Sequence, residues 1–362
     1  MKILYLLFSF TVGGTERLIV DICNNMVTRD NEIHLYVVND SIDNELLNSL
    51  DSRVNVFLQR REAGSGDILY TNYKIYSYIK KNNIDIIHCN SLDTPELLFL
   101  SKLFNNNVKI FYTIHSLNYY TGMNCVRVWY RNIICTKIIA ISNCVRKSII
   151  AQGASENKVV TLYNGRNFKL MPDIKPKFDE NRPVIGCLGR FVPSIKGQDL
   201  LLKAIPILKK KYPNIVCVFG GAINDDEYEI SNKYICDNRI SGNVIFLGNV
   251  KDISSFYAAI DIAVIPSRSE GFGLSLIEAM SVGIPTVACD MGGPAEIMAH
   301  LNAGILFECG NHNDLADKIL AVLSEFDSYS KLAIDIKIMV KELFSIEKMC
   351  SDLSILYTSE MV

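Results

Sequence analysis

The sequence offers little that would crosslink the protein covalently or through a metal. Among its 362 residues are 11 cysteines and five histidines. No two cysteines form a Cys-x-x-Cys pair, and no histidine lies at metal-ligand spacing from a cysteine, which argues against a zinc site. Several cysteines, such as Cys187, lie inside short apolar runs. We therefore expect buried free thiols in a reducing compartment rather than a disulfide framework.

Long apolar runs are also missing, and no stretch is long enough to cross a bilayer. The apolar run at residues 3–8 is followed by Gly13-Gly14 rather than by a cleavage site of small residues. We therefore expect a buried first strand and a cytoplasmic protein rather than a secretory signal. No Gly-x-Gly-x-x-Gly follows a predicted strand, which disfavours a NAD-dependent dehydrogenase.

The small net charge of −2 conceals two halves of opposite sign. Residues 1–168 hold 18 Lys and Arg against 14 Asp and Glu, which gives +4, whereas residues 169–362 hold 19 against 25, which gives −6. A basic first half is compatible with an anionic partner such as a membrane surface. Ordinary variation of surface charge explains the same numbers equally well.

Short apolar runs rich in β-branched residues alternate with helical patterns through both halves, which predicts parallel sheets covered on both faces by helices. The predicted strands are 2–8, 32–38, 54–58, 84–88, 108–114, 137–141, 184–188, 215–219, 244–247, 262–265, 286–288 and 304–307. The predicted helices include 14–28, 68–82, 95–104, 197–211, 226–238, 253–259, 273–282 and 313–325. The expected class is α/β, with two doubly wound domains.

The domain boundary is predicted where prolines and charges accumulate. Residues 169–183 contain three prolines and form the expected linker. An N-terminal Rossmann-like domain (1–168) and a C-terminal Rossmann-like domain (184–345) would flank it, and 346–362 would be a helical tail that packs back on the N-terminal domain. Ligands of such sheets bind beyond the carboxyl ends of the strands, so we expect a cleft between two facing domains.

The segment Pro266–Met280 carries the strongest chemical signal. A strand ends, a glycine-rich turn follows, and a helix begins near Gly273, where free N–H groups and the helix dipole suit a phosphate. Glu270 and Glu278 lie eight residues apart beside that anion site and could accept hydrogen bonds from sugar or ribose hydroxyls. The segment resembles the E-x7-E motif of retaining glycosyltransferases with the GT-B fold, in particular family GT4.

That resemblance assigns roles to the motif. It implies that Glu270 contacts the donor sugar and that Glu278 holds the nucleotide ribose. It also implies donor contacts around the start of the helix, at Phe272, Gly273 and Leu274. The alternative is a helix with merely solvated acids.

A second element, Gly189–Gly197, supplies cations for a leaving diphosphate. The planar guanidinium of Arg190 can donate two hydrogen bonds to phosphate oxygens at once, whereas the ammonium of Lys196 is a compact point charge. No Asp-x-Asp metal motif is plausible, so we expect neither a metal nor another cofactor. The segment resembles the GR…KG element of the same family, although its Arg–Lys spacing is longer than the commonest form. On its own, it could equally be a surface loop.

Two elements of the first half match the family as well. Gly13 and Gly14 resemble its GG-x-E loop, which implies contact with the donor, and the alternative is a tight strand–helix turn. His115, at the end of an apolar strand, would contact a donor hydroxyl by the same resemblance, and its alternative is a structural histidine. Asn164-Gly165 resembles an N-G-V-D-like turn, but Arg166-Asn167 replace its last two residues.

The segment 116–136 contains the only tryptophan, Trp129, with Arg127 and Arg131 close by. Such aromatic and basic residues suit lipid headgroups or a lipid-linked sugar. Packing of this helix on its own domain is the alternative, and we favour it slightly.

The family resemblance implies a retaining glycosyltransferase with His115, Arg190, Lys196 and Glu270 at the reacting centre. It also implies that the N-terminal domain (1–168) lies on the acceptor side and that the C-terminal domain (184–345) binds the nucleotide sugar. Such an enzyme would move a hexose or N-acetylhexosamine from a nucleotide sugar, with UDP as the expected nucleotide, to a glycan or polyprenyl-linked acceptor in bacterial surface polysaccharide biosynthesis. We expect no nucleic acid partner, and a peripheral membrane contact on the cytoplasmic side is the leading partner hypothesis. The alternatives are a non-catalytic nucleotide-sugar-binding protein and a GT-B epimerase.

Overall fold

The computed structural model describes residues 1–361 apart from 29, 63, 65, 106, 118 and 172–177. Two compact units make up the chain: Met1–Gly165 with Ile346–Val362, and Arg166–Ser345. The first boundary therefore lies after residue 165 rather than after the predicted 168. The predicted linker, 169–183, begins within the short 3₁₀ helix Phe168–Leu170, and its residues 172–177 lie outside the described part.

The first unit is built on seven parallel strands, of which the apolar runs predict six. They are β1 (Lys2–Leu7), β2 (Glu32–Asn39), β3 (Asn55–Arg61), β4 (Ile86–Cys89), β5 (Lys109–Ile114), β6 (Lys137–Ala140) and β7 (Val159–Thr161). Their order is β3-β2-β1-β4-β5-β6-β7, with every pairing parallel. The helices between them are α1 (Gly14–Met26), α2 (Asn44–Leu47), α3 (Ile68–Asn82), α4 (Phe99–Phe104), α5 (Cys125–Ile134) and α6 (Asn143–Ala151).

The second unit repeats the scheme with six parallel strands. They are β8 (Val184–Leu188), β9 (Val216–Gly220), β10 (Val244–Gly248), β11 (Ile262–Ile265), β12 (Thr286–Cys289) and β13 (Ile305–Phe307). The order β10-β9-β8-β11-β12-β13 reverses direction at β8 and β11, where ligands of such sheets bind. The helices are α7 (Pro193–Lys196), α8 (Gln198–Lys211), α9 (Asp225–Asp237), α10 (Ile253–Ala258), α11 (Leu274–Ser281), α12 (Gly292–Leu301), α13 (His312–Ser324) and α14 (Phe326–Leu343).

The C-terminal helix, α15 (Ile346–Met361), returns to the first unit and joins its core. Its Tyr357 is fully buried, with its hydroxyl oxygen 2.5 Å from His88 Nδ1 on β4 and 3.4 Å from the hydroxyl oxygen of Tyr5 on β1. The other ring nitrogen of His88 lies 2.6 Å from Thr113 Oγ1 on β5. These contacts tie the end of the chain to three central strands of the first sheet. Burial lowers the pKa of His88 to about 3, so the ring is neutral at pH 7.

Two of the differences between the predicted elements and the structure lie in the first unit. The strand β7 was not predicted, and the predicted helix 95–104 is a 3₁₀ turn at Pro95–Leu98 followed by α4. Within the described residues, no helix combines the length and the apolar character needed to cross a membrane.

The structure corrects the expectation that Arg127 and Arg131 together present positive charge to a membrane. Arg131 is fully buried, and its guanidinium contacts Asp93 at 2.8 Å and Glu96 at 2.7 Å. The same guanidinium lies over the rings of three tyrosines, Tyr112, Tyr119 and Tyr120. Arg127 is half-exposed but pairs with the same two carboxylates. Arg131 is thus a core residue, as the alternative of a helix packed on its own domain requires.

Candidate functional site

The loop after β8 presents its basic residues at the carboxyl end of the second sheet. Arg190 is exposed, and its guanidinium has no ionic partner among the described residues. Its backbone is fixed, because its carbonyl accepts a hydrogen bond from Gln198 Nε2 at 2.9 Å and the next residue, Phe191, donates its N–H to Ala222 at 2.8 Å. A rigid loop therefore carries a cation that is available to an anionic ligand.

The short helix α7 delivers Lys196 to the first acid of the E-x7-E motif. Lys196 Nζ lies 2.5 Å from Glu270 Oε2, and both side chains are partly exposed, at 34% and 17%. Ser267 Oγ also donates to Glu270 Oε2, at 3.3 Å. Two residues separated by 74 positions in the sequence therefore form one polar cluster at the strand ends.

Gly197 makes this approach possible. Its φ of +69° is left-handed, and a Cβ at this position would lie 2.0 Å from the carbonyl oxygen of Pro266. Only glycine tolerates both conditions. The backbone therefore requires a glycine directly after Lys196.

Additional contacts hold the two loops together. The carbonyl of Ile195 accepts hydrogen bonds from the N–H groups of Arg268 (2.8 Å) and Ser269 (3.1 Å). Arg268 also forms a salt bridge with Asp199 at 2.5 Å and donates to the carbonyl of Pro193 at 2.6 Å. We did not predict a role for Arg268 or Asp199. The only feature of the sequence that could have indicated one is that Arg268 is a basic residue inside the Pro266–Met280 segment. Both act as supports for the loop that carries Glu270.

The start of α11 offers backbone donors beside this cluster. Gly273 precedes the helix with a left-handed φ of +104°. The N–H groups of Leu274 and Ser275 have no acceptor within the described part of the chain. Such groups and the helix dipole attract anions. The Phe272 ring is 2% exposed and packs against Phe344, so a ligand could reach this residue only through its backbone.

A third loop, at the start of α12, packs against the turn between Glu270 and Gly273. Gly293 donates its N–H to the carbonyl of Glu270 at 2.9 Å. A Cβ on Gly293 would lie 2.3 Å from the Cα of Phe272, so this contact also requires glycine. The turn between Glu270 and Gly273 is thus packed on both sides.

The second acid of the motif, Glu278, is nearly buried, with 5% of the residue exposed. Its Oε1 lies 2.7 Å from Arg166 Nε, and its Oε2 accepts a hydrogen bond from the Tyr257 hydroxyl at 3.2 Å. We did not predict either partner. Arg166 was noted only as a departure from the family turn, and no pattern in the sequence pointed to Tyr257.

In the first unit, the predicted residues lie at the ends of β1 and β5. A Cβ on Gly13 would lie 2.3 Å from Glu16 Oε2, so the glycine lets the Glu16 carboxylate fold back over the start of α1. Gly14 is exposed as the first residue of that helix. His115 follows β5, and its buried Nε2 has no hydrogen-bond partner among the described residues. Burial lowers the pKa of His115 to about 4, which keeps the ring neutral at pH 7.

Two family models match the two halves of the chain. The model "Glycosyltransferase Family 4" matches residues 12–169, and the model "Glycosyl transferases group 1" matches residues 173–337. The chain belongs to glycosyltransferase family 4. The predicted family membership is thereby confirmed.

Individual relatives match shorter segments. The capsular polysaccharide biosynthesis glycosyltransferase CapM of Staphylococcus aureus is 28% identical over 202 residues, which is 52% of this chain and 53% of CapM. The lipopolysaccharide core biosynthesis mannosyltransferase LpcC of Rhizobium leguminosarum is 31% identical over 147 residues, or 40% of this chain and 42% of LpcC. The chain thus spans about half the length of the curated relatives it matches.

Solved structures match along the whole chain. HepE of Anabaena, in complex with UDP and glucose, gives a TM-score of 0.83 at 23% identity and covers 99% of this chain and 100% of HepE. At this identity, the likeness establishes the fold. The expected pair of Rossmann-like parallel sheets of the GT-B class is confirmed.

Proposed function

We propose that this protein is a retaining glycosyltransferase. It transfers a hexose or N-acetylhexosamine from a nucleoside diphosphate sugar, with UDP as the nucleotide, to a hydroxyl of a glycan or lipid-linked saccharide. The observation that supports this most is the cluster of Lys196 and Glu270, 2.5 Å apart, beside the unbonded N–H groups at the start of α11. Cationic and amide donors suit a diphosphate, and an adjacent carboxylate suits sugar hydroxyls.

In this mechanism, the second unit stabilises the departing nucleotide. Arg190 and Lys196 bind the diphosphate oxygens, and the amides of Leu274 and Ser275 add fixed donors where negative charge develops. One well-placed donor of this kind contributes about 3 kcal/mol to the transition state. Glu270 pairs with Lys196 before the donor binds, and it accepts a hydrogen bond from a hydroxyl of the donor sugar afterwards.

The transfer needs no protein base. The bond between the anomeric carbon and the diphosphate oxygen breaks, and the acceptor oxygen bonds to the same face of that carbon. The departing phosphate oxygen takes the proton of the acceptor hydroxyl. We propose that His115, neutral at pH 7, contacts a donor hydroxyl and that the reaction uses neither a metal nor a resident cofactor.

Donor binding and transfer can be tested separately. We expect one of UDP-glucose, UDP-galactose, UDP-N-acetylglucosamine and GDP-mannose to raise the melting temperature, because a ligand that binds only the folded state stabilises it. Release of the nucleoside diphosphate with an oligosaccharide or undecaprenyl-linked acceptor would show transfer, and proton NMR of the product would show its anomeric configuration. Stabilisation without transfer to any acceptor would favour a non-catalytic binding protein, and an inverted product would contradict retention.

We also propose that the protein acts in the cytoplasm on surface polysaccharides, because CapM and LpcC are named for capsular and lipopolysaccharide biosynthesis. A membrane-bound acceptor would require a peripheral contact. The helices α3, α4 and α5 supply exposed apolar side chains on the first unit, and α4 packs beside α3. These side chains are Leu69, Tyr70, Tyr73, Phe99, Leu103, Phe104, Val126, Trp129 and Ile133.

This contact can be tested without a mutation, because Trp129 is the only tryptophan and is 63% exposed. Insertion into a membrane interface would move its fluorescence to shorter wavelength. We expect this shift with phosphatidylglycerol vesicles and a smaller one with phosphatidylcholine vesicles. An unchanged spectrum with both, together with no co-sedimentation, would contradict a membrane contact through α5.

A further inference from the structure

The pairing of Glu278 with Arg166 extends the proposed site to residues outside the family motifs. Arg166 stands where the family turn carries an apolar residue, and its side chain is 12% exposed against 6% for that of Glu278. The Arg166 backbone is fixed as well, because its N–H donates to the carbonyl of Phe344 at 2.9 Å. Because the Arg166 backbone is fixed, its ion pair with Glu278 restricts where the Glu278 carboxylate can lie.

Tyr257 fixes the same carboxylate from another helix. Its hydroxyl lies 3.2 Å from Glu278 Oε2 and 3.0 Å from the carbonyl oxygen of Ser275, one turn earlier on α11. Each oxygen of Glu278 therefore has one described contact, Oε1 with Arg166 and Oε2 with Tyr257. An ionised carboxylate has about four lone-pair sites on its two oxygens, so it retains capacity to accept further hydrogen bonds.

The arrangement suits a vicinal diol. Two hydroxyls on neighbouring carbons need two acceptor atoms at a fixed separation and orientation. A carboxylate that rotated freely would place its two oxygens in this geometry only part of the time. We propose that Arg166 and Tyr257 are positioning residues, which hold the Glu278 carboxylate oriented so that it accepts hydrogen bonds from the two ribose hydroxyls of the donor nucleotide. This inference rests on the proposed function, since it assumes that the ligand is a nucleoside diphosphate.

The loss of Arg166 would act through Glu278. A carboxylate that is almost completely buried is costly without its cation, so Glu278 would lose the orientation that Arg166 imposes. Truncating one partner of a buried charge pair that holds a ligand contact should weaken the ligand's affinity at least about tenfold, which is about 1.4 kcal/mol or more.

The test is a double-mutant cycle read by calorimetric titration with UDP and 2′-deoxy-UDP, or with GDP and 2′-deoxy-GDP if the wild type binds GDP more tightly. We expect the wild type to prefer the ribonucleotide at least about tenfold. Arg166→Val should weaken binding of the ribonucleotide at least about tenfold and of the deoxynucleotide much less. Arg166→Lys should recover part of the loss, and Tyr257→Phe should reduce the same preference.

The second arm of the cycle removes the charge of Glu278. In the Glu278→Gln background, adding Arg166→Val should cause no further loss of affinity, because the partner through which Arg166 acts is already absent. This double variant has no unpaired buried charge, so the comparison remains possible if Arg166→Val alone fails to fold. Arg146→Val is the matched control, since it removes a more exposed Arg–Glu pair, Arg146 with Glu156, in the first unit.

The outcomes separate the two proposals. If the wild type binds no nucleoside diphosphate, the proposed function fails, and this inference with it. If the wild type binds UDP or GDP but does not prefer the ribonucleotide, if Arg166→Val weakens both nucleotides equally, or if its effect adds fully to that of Glu278→Gln, only the positioning role is overturned.

Discussion

Replacing Gly197 by alanine should disrupt the junction between the two loops of the second unit. The residue has a φ of +69°, and its missing Cβ would lie 2.0 Å from the Pro266 carbonyl oxygen and 2.8 Å from the carbonyl carbon. Left-handed backbone costs a residue with a Cβ about 1–2 kcal/mol. Overpacking against a backbone that cannot rotate away adds about 1–3 kcal/mol. The expected loss of unfolding free energy is therefore about 2–5 kcal/mol.

The second unit spans residues 166–345. For a domain of this size, each kcal/mol lowers the melting temperature by about 2–4 °C, so Gly197→Ala should lower it by at least about 4 °C in scanning calorimetry. Donor affinity should fall as well, because Lys196 is the neighbouring residue and would be displaced from Glu270. Gly242→Ala is the matched control, since a Cβ there would have no heavy atom within 4 Å. Equal melting temperatures for the two variants would refute this explanation of the Lys-Gly pair.

Three further predictions concern the charged residues. Glu270→Gln should slow transfer by roughly 100-fold or more. It should leave the affinity for UDP unchanged or improved, since Lys196 loses a competing partner. Measurement of kcat and of the Kd for UDP tests both effects, and a large loss of UDP affinity would contradict the role of Glu270 as a contact of the donor sugar. His115 is neutral in the folded state down to about pH 4, whereas its unfolded form takes up a proton below about pH 6.5, so stability should fall as the pH drops through this window. This one group should lower the unfolding free energy by about 2 kcal/mol at pH 5 relative to pH 7, and urea titrations of His115→Gln should show a shallower pH dependence if that is correct. Arg131→Met should cost about 1.5–3 kcal/mol, because Asp93 and Glu96 lose the buried guanidinium and keep only the half-exposed Arg127, whereas Arg146→Met should change the midpoint of urea unfolding little.

Most of the fold follows from the sequence because the central strands of both sheets are buried on both faces. The strands β8 and β11 each consist of consecutive apolar residues between turn signals. Their bounds are therefore correctly predicted, at 184–188 for β8 and at 262–265 for β11. The edge strand β7 has only three residues, of which two are partly exposed, and we did not predict it although it lies in the short run Val159-Val160-Thr161-Leu162. The return of the chain to the first unit depends on contacts such as Tyr357 with His88, which are 269 positions apart and leave no local pattern.

The candidate site was predictable where it depends on local geometry. Glycines at turns and acids near a helix start can be identified from spacing, which led to Glu270, Gly273 and Lys196. Partners brought together by the tertiary structure could not be identified in this way. Arg131 had the pattern of a surface residue but is buried against two carboxylates, and Arg166 seemed only a departure from a motif but contacts Glu278. Charge and spacing alone do not reveal which side chains are buried together.

The central claim is that protein cations and backbone amides in the second unit, rather than a bound metal ion, hold the departing nucleotide. The most direct test is calorimetric titration of UDP, and of GDP in parallel, in the presence of excess EDTA, with the wild type and with the Arg190→Met/Lys196→Met variant. We predict that one of the two nucleotides binds the wild type in EDTA and binds the double variant at least about tenfold more weakly, since a single charge-assisted contact contributes about 1.5 kcal/mol or more. Binding that is absent in EDTA and restored by Mg²⁺ or Mn²⁺, or an unchanged affinity of the double variant, would contradict the account.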